Sequence, residues 1–178
     1  RELLAPVVEV GAASGRPLYA HAIGSAGALL AASGGVRALA HTPIVDSAGA
    51  ARLRAAGIYV ISTLATLTAG KAAEAVSRSF RLLHRAGVPI VLGTDAGVLA
   101  HGSNARELVA LTEAGLSPLL ALRAATLNAA ALLGSSRIGE IAVGKVGDFV
   151  VVEGDPLRDV GSVARPVMVL RGGRTVED

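Results

Sequence analysis

The sequence predicts an α/β fold in which four parallel strands alternate with helices, followed by a smaller β segment. Short apolar runs bounded by Gly or Pro recur before residue 93, as buried parallel strands do. Alanine- and leucine-rich runs lie between them and are typical of helices that pack closely on a sheet. Strand–helix units in a row imply right-handed crossovers and therefore a parallel sheet. After residue 138 only short β runs remain.

Apolar periodicity and cap residues place the individual elements. Gly57, Gly87 and Gly134 are positioned to end helices, and Ser117-Pro118 puts a cap and then a proline at a helix start. Strands are expected at 18–21, 36–41, 58–62, 88–92, 148–152 and 167–170, and helices at 2–13, 24–32, 46–56, 71–86, 103–114 and 117–133, the last in one or two pieces. Gly172-Gly173 predicts a tight turn into a return strand. We place a domain boundary near Ser135, which divides the chain into residues 1–135 and 136–178.

Composition excludes several classes of function. The 178 residues are 52% hydrophobic and 17% charged, which excludes a disordered chain. The chain has 17 cationic and 14 anionic residues, and the cationic residues form no continuous basic run. Aromatic residues make up only 2% of the chain, so nucleic-acid binding is not expected. The absence of cysteine excludes disulfides, thiolate metal sites and cysteine nucleophiles.

One uncharged stretch, residues 17–36, is as long as a membrane span. It contains His21 and four glycines, so its hydropathy is modest, and a strand, a turn and a helix explain it better. No signal peptide pattern opens the sequence. We therefore expect no membrane association, and a cytoplasmic location.

Three polar residues stand at the C-terminal ends of apolar strand-like runs: His21, His41 and Asp95. Because the carboxyl ends of parallel strands meet on one face, we expect these side chains to share a site. Imidazole and carboxylate are the ligands of hydrolytic metal ions. The alternative is structural: each histidine would be a cap or core residue bonded to backbone, and Asp95 a helix cap or turn residue.

Several motifs together resemble the amidohydrolase superfamily, in its imidazolonepropionase-like and prolidase-like branch. They are Gly-Thr-Asp-Ala-Gly at 93–97, Ala-Ala-Thr-Leu-Asn-Ala-Ala at 124–130, the run from Gly139 to Val152, and Gly-Asp-Pro-Leu at 154–157. Each motif alone is weak, and their combination covers essentially the whole chain.

The resemblance implies a (β/α)8 TIM-like barrel with a small β-sandwich built from the two chain ends. Residues 1–135 would form a partial barrel, equivalent to strands 5–8, and residues 136–178 part of the sandwich. The family takes further metal ligands from a His-x-His pair and often a lysine on earlier strands. This sequence has no His-x-His, and no lysine precedes His21. We therefore expect an N-terminally truncated fragment.

The resemblance also implies one or two divalent metal ions, usually zinc. By position, His21 and His41 match ligands on the fifth and sixth strands, and Asp95 matches the eighth-strand aspartate. Asp95 would pass a proton from the nucleophilic water to the leaving nitrogen. Thr42 and Thr94 adjoin these residues and would donate hydrogen bonds to them.

Other polar residues receive weaker assignments. His101, in the loop after Asp95, is a candidate for substrate contact or a solvated loop residue. His84 is expected near the end of a helix, outside the site. Arg106 and Glu107 are expected to be charges on a helix surface.

Three functional hypotheses follow. The first is a metal-dependent hydrolase acting on a carbon–nitrogen bond of a small amide or dipeptide-like substrate, with this fragment inactive alone. The second is a non-catalytic half-barrel subunit or interaction module, which would dimerise, pair with the missing half or aggregate through its open strand edges. The third is an independent doubly wound domain in which the three site residues stay apart.

Overall fold

The computed structural model describes residues 4–67 and 71–176. Its first sheet has four parallel strands in the order β1-β2-β3-β4, so each strand lies beside the next one along the chain. The strands are β1 (Tyr19–His21), β2 (Ala38–Ala40), β3 (Tyr59–Ser62) and β4 (Ile90–Leu92). The prediction of an α/β fold with a parallel sheet is confirmed. All four carboxyl ends lie along one edge of the sheet, and the predicted site residues lie at or shortly after these ends.

Seven helices connect and flank these strands within the described ranges. They are α1 (Ala5–Ala13), α2 (Ser25–Ser33), α3 (Ser47–Ala55), α4 (Lys71–Arg85), α5 (Ala105–Glu113), α6 (Pro118–Ala125) and α7 (Leu127–Leu132). The first two residues of the predicted helix 2–13 lie outside the described residues. None of the helices described is long and apolar enough to cross a membrane.

Local chemistry explains where the helices begin and end. The Asp46 carboxylate accepts a hydrogen bond from the Gly49 amide at 2.7 Å and caps α3. Ser117 caps α6, whose first residue is Pro118. The predicted helix 117–133 breaks at Thr126, where φ is −126° and ψ is −89°, and so becomes α6 and α7.

The core lies between the sheet and the helices that cover it. Helix α4 buries Val76, Phe80 and Leu83, which the helical period places on one face. This face packs in the same apolar cluster as Leu39 of β2 and Leu53 of α3. At the carboxyl ends of the strands, His21 of β1 is exposed, whereas Ser62 of β3 is fully buried.

The C-terminal part forms a second sheet, which is antiparallel. Its strands are β5 (Phe149–Val152), β6 (Pro166–Arg171) and β7 (Arg174–Thr175), in the order β5-β6-β7. Gly172 and Gly173 have φ of 58° and 78°, as a tight turn between β6 and β7 requires. A short 3₁₀ helix, Val160–Ala164, contributes the buried Val160 to the main core and so joins this sheet to the rest.

Candidate functional site

The two predicted histidines meet at the carboxyl ends of β1 and β2. His21 is the last residue of β1, and His41 follows β2 directly. Their ring centroids are 4.6 Å apart and the rings are inclined at 78°, edge to face. The contact arises because β1 and β2 pair in parallel with His21 opposite Ala40.

Two of the predicted ligands have strained backbones. His41 has a φ of 70° and Asp95 a φ of 48°, and they are the only non-glycine residues with positive φ in the described parts of the chain. Such conformations cost on the order of 1–3 kcal/mol each and cluster at functional sites. The strain therefore favours a functional interpretation of both positions over a structural one.

His21, His41 and Asp95 line one cavity of about 270 Å³. Its other walls are mainly hydroxyl-bearing and apolar side chains: Ile23, Thr42, Thr63, Leu64, Thr66, Leu67 and Val76. His21 and Asp95 are exposed at the cavity, and His41 is half-buried. The hypothesis of a domain in which these three residues stay apart does not agree with this arrangement.

Thr63 is a site residue that the sequence reasoning missed. It follows β3 directly, and its hydroxyl lies 2.8 Å from Nδ1 of His41. The rule that identified the histidines, a polar residue after a predicted strand, applied to Thr63 equally. The contact occupies one ring nitrogen and leaves Nε2 as the nitrogen available to another partner.

Glu107 was expected on a helix surface, and that prediction is wrong. The residue is 1% exposed. Its carboxylate accepts hydrogen bonds from the backbone amides of Leu64 at 2.9 Å and Ala65 at 2.7 Å. The helical period could have indicated this burial. Glu107 adjoins Leu108 and lies one turn before Leu111, and both leucines are buried. Arg106 is exposed, as expected.

Of the remaining predicted site residues, Thr42 lines the cavity, whereas Thr94 and His101 do not. Thr42 is buried in the cavity wall, and its hydroxyl has no hydrogen-bond partner among the described residues. Thr94 and His101 are not among the residues that line the cavity, and His101 is exposed in the turn region after β4. The roles assigned to these three residues stay predictions.

The donor set has the right chemistry for a divalent metal ion and is incomplete. Two adjacent imidazoles and a carboxylate on the same cavity are typical zinc-binding groups. Yet within residues 4–67 and 71–176 no three His, Cys, Asp or Glu side chains are arranged to hold a metal ion. The described residues therefore do not form a complete metal site by themselves.

Burial determines how Glu107 responds to pH. Desolvation raises the pKa of this carboxyl above its ordinary value of 4.5, and the hydrogen bonds from Ala65 and Leu64 only partly oppose that rise. The folded protein thus binds the proton more tightly than the unfolded chain does. The stability that this group contributes is present below pH 4.5 and is lost as the pH rises through the raised pKa.

We therefore expect the free energy of unfolding of Glu107→Gln to depend on pH differently from that of the wild type. Above pH 4.5 the wild type should lose stability relative to the variant until Glu107 is fully ionised. Urea unfolding of both proteins across this range measures the difference. A wild type that gains stability relative to the variant would contradict the expected sign.

Close packing at Gly93 controls the path of the chain between β4 and Asp95. A Cβ atom at this position would lie 2.5 Å from the Ile61 side chain and 2.9 Å from the Ser62 carbonyl oxygen. We expect Gly93→Ala to displace the backbone that carries Asp95. A displacement of about 1 Å can cost an enzyme roughly 10²-fold in catalytic rate. Under the hydrolase hypothesis, the kcat of the full-length protein should therefore fall by about that factor.

A matched control for Gly93→Ala is Gly27→Ala in α2. Gly27 is exposed, and a Cβ atom there meets no atom within 4 Å. This change should raise the free energy of unfolding by about 0.5–1 kcal/mol and leave kcat unchanged. Equal kcat values for the two glycine variants would show that the close approach at Gly93 does not position Asp95.

Comparison with known proteins agrees with this architecture. The model of the amidohydrolase family matches residues 1–176. Ochratoxinase from Aspergillus niger is 29% identical over 97% of this chain and 40% of its own length. Imidazolonepropionase from Bacteroides thetaiotaomicron is 38% identical over 72% of this chain and 31% of its own length.

Solved structures of amidohydrolase relatives also resemble this chain. The crystal structure of a Xaa-Pro dipeptidase with methionine bound in its active site has a TM-score of 0.90 and 27% identity, and the match covers 98% of this chain and 48% of that one. The A. niger ochratoxinase structure has a TM-score of 0.84 at 27% identity, covering 97% and 44%. This chain thus spans less than half the length of these relatives. It belongs to the amidohydrolase family.

Proposed function

We propose that this chain forms the carboxyl-terminal half of the catalytic unit of an enzyme that hydrolyses a carbon–nitrogen bond in a small amide or dipeptide-like substrate. The observation that carries the proposal is the placement of His21, His41 and Asp95 at parallel strand ends around one cavity. Residues 1–135 would be a partial (β/α)8 barrel that supplies its fifth to eighth strands. Residues 136–178 would be a portion of a β-sandwich.

Under this proposal His21 and His41 each provide a neutral imidazole nitrogen to a divalent metal, most simply zinc. When bound, such a metal polarises the carbonyl group and lowers the pKa of water to about 7. The chain's own donor set is partial, so further ligands would come from residues of the protein outside these 178. Thr63 fixes the His41 ring through Nδ1, which leaves Nε2 for coordination.

Asp95 would carry the proton that amide hydrolysis has to move. Water adds its oxygen to the carbonyl carbon, the carbon–nitrogen bond breaks, and the amine leaves with a proton. Asp95 is exposed to the cavity, so its carboxylate can take that proton from the attacking water and give it to the nitrogen. Thr42 lies in the same cavity wall, and its buried hydroxyl has no hydrogen-bond partner among the described residues.

Hydrolysis by the full-length protein tests the proposal. Two probes, alanyl-proline and an N-acyl amino acid, represent a dipeptide and a simple amide. The full-length protein should hydrolyse at least one of them, and both the His41→Asn variant and the 178-residue chain alone should be inactive. Failure of the full-length wild-type protein on both probes would argue against the substrate class.

A second candidate function is that of a non-catalytic half-barrel subunit. The observation that favours it is the apolar surface of the C-terminal part. Val150 and Val167 are 56% and 62% exposed, and Ile141 and Val143 are almost fully exposed. Surfaces of this kind mark contacts with other protein segments. Under this proposal the 178-residue chain should self-associate or bind the remainder of the protein in size-exclusion chromatography with light scattering, and a stable monomer that binds nothing would contradict it.

A further inference from the structure

The buried carboxylate of Glu107 is bound to the chain segment that leaves β3. Glu107 lies in the first turn of α5, and its two oxygens accept hydrogen bonds from the consecutive amides of Leu64 and Ala65. These amides are the first two of the 3₁₀ helix Leu64–Thr66. They have no partner within so short a helix, so the carboxylate satisfies donors that would otherwise be buried and unpaired.

The same segment begins with Thr63, the residue that contacts His41. The Thr66 hydroxyl donates to the Thr63 carbonyl oxygen at 2.7 Å, and the Leu67 amide donates to the Leu64 carbonyl at 2.9 Å. These bonds make the segment one compact turn. Anchoring its amides from α5 therefore fixes the position of Thr63 as well.

Within residues 4–67 and 71–176, Glu107 forms no ion pair that would explain its burial. A buried carboxylate without a cation is costly, and the amides of Ala65 and Leu64, together with the Ser62 hydroxyl, offset part of that cost. A carboxylate is the side chain that suits this place, because it accepts from two parallel donors at once. A glutamine would turn its NH₂ group toward one of the amides.

We propose that Glu107 is a positioning residue: through Leu64 and Ala65 it holds Thr63 so that the threonine hydroxyl fixes Nδ1 of His41. In this arrangement the Thr63 hydroxyl oxygen accepts from the Nδ1–H group of His41, which keeps the ring in that tautomer with Nε2 as the unprotonated nitrogen. The consequence for catalysis rests on the proposed function, and the contacts themselves do not. Glu107 acts from outside the cavity, since it does not line it.

A double-mutant cycle between Glu107 and Thr63 tests the proposal. The ring nitrogens of the histidines are labelled with ¹⁵N in the full-length protein, and NMR reports the His41 tautomer before and after chelation of metal. The His41→Asn variant assigns the signals. Glu113→Gln, at the exposed end of the same helix, is the matched control.

We expect the wild type and Glu113→Gln to keep a single His41 tautomer after chelation. Glu107→Gln and Thr63→Val should each give the averaged nitrogen shifts of two exchanging tautomers. The double variant should match Thr63→Val alone, because both changes act on one contact. In the active protein, the same variants should lower kcat with little change in KM.

A Glu107→Gln protein that is less stable to heat and yet keeps the wild-type His41 tautomer would overturn the proposal, since Glu107 would then be only structural. Additive effects in the double variant would overturn it as well. If Glu107→Gln does not fold, Glu107→Asp replaces it: its shorter carboxylate cannot reach both amides, so an unchanged tautomer again overturns the proposal. The NMR measurement needs no substrate. If the protein shows the expected tautomer changes but hydrolyses neither probe, the proposed function is refuted and the positioning role of Glu107 is not.

Discussion

Replacing Asp95 with asparagine in the full-length protein is expected to lower kcat for amide hydrolysis about 10²- to 10⁴-fold, the range that general acid–base catalysis contributes. Asparagine has nearly the same shape and cannot accept the proton from the attacking water. The strained backbone at Asp95, with its φ of 48°, tolerates asparagine better than most other residues. The loss should therefore come from the chemistry of the side chain.

Steady-state kinetics with alanyl-proline or the N-acyl amino acid measures this effect. Glu113→Gln removes a carboxylate in the same way from an exposed position away from the cavity, and should leave kcat unchanged. KM should change little in either variant. A kcat for Asp95→Asn within about threefold of the wild type would remove Asp95 from the proton transfer, since even the weakest general acid–base contribution is larger.

The second large effect concerns stability. Phe80→Ala should lower the free energy of unfolding by about 3–5 kcal/mol, the typical cost of truncating a buried aromatic side chain. Phe80 is fully buried in the cluster that joins α4 to the sheet. Its removal leaves a cavity that the surrounding parallel strands cannot fill without losing their pairing.

Urea unfolding of wild type and variant gives this difference. Leu119→Ala is the matched control, because Leu119 is half-exposed on α6 and its truncation should cost less than about 1 kcal/mol. Comparable losses for Phe80→Ala and Leu119→Ala would show that α4 does not close the core as described.

The architecture was predictable because its signals are local. Each parallel strand is a short apolar run, and two helices begin at side-chain caps that the sequence shows, Asp46 for α3 and Ser117 for α6. The strand-end rule then places His21 and His41 together, because parallel pairing leaves no other arrangement for residues at the ends of adjacent strands. The four parallel strands are one to three residues shorter than expected, since apolar residues beside a strand continue into buried loops.

The contacts of Glu107 and Thr63 could not be predicted from the sequence. The burial of Glu107 depends on two amide donors that lie 43 and 42 residues away in the chain, and no local pattern reveals such partners. Composition also favours an exposed glutamate, because buried carboxylates are rare without a partner. Thr63 was missed for a simpler reason: a threonine after a strand is common, and only the neighbouring His41 gives it significance.

The metal content of the full-length protein is the most direct test of the account. Purified wild-type protein, analysed by elemental mass spectrometry after dialysis, should contain bound divalent metal, and the double variant His21→Asn with His41→Asn should lose most of it while remaining folded. A folded wild type that carries no metal and takes up none from added zinc would contradict the central claim, as would a double variant that retains the full amount.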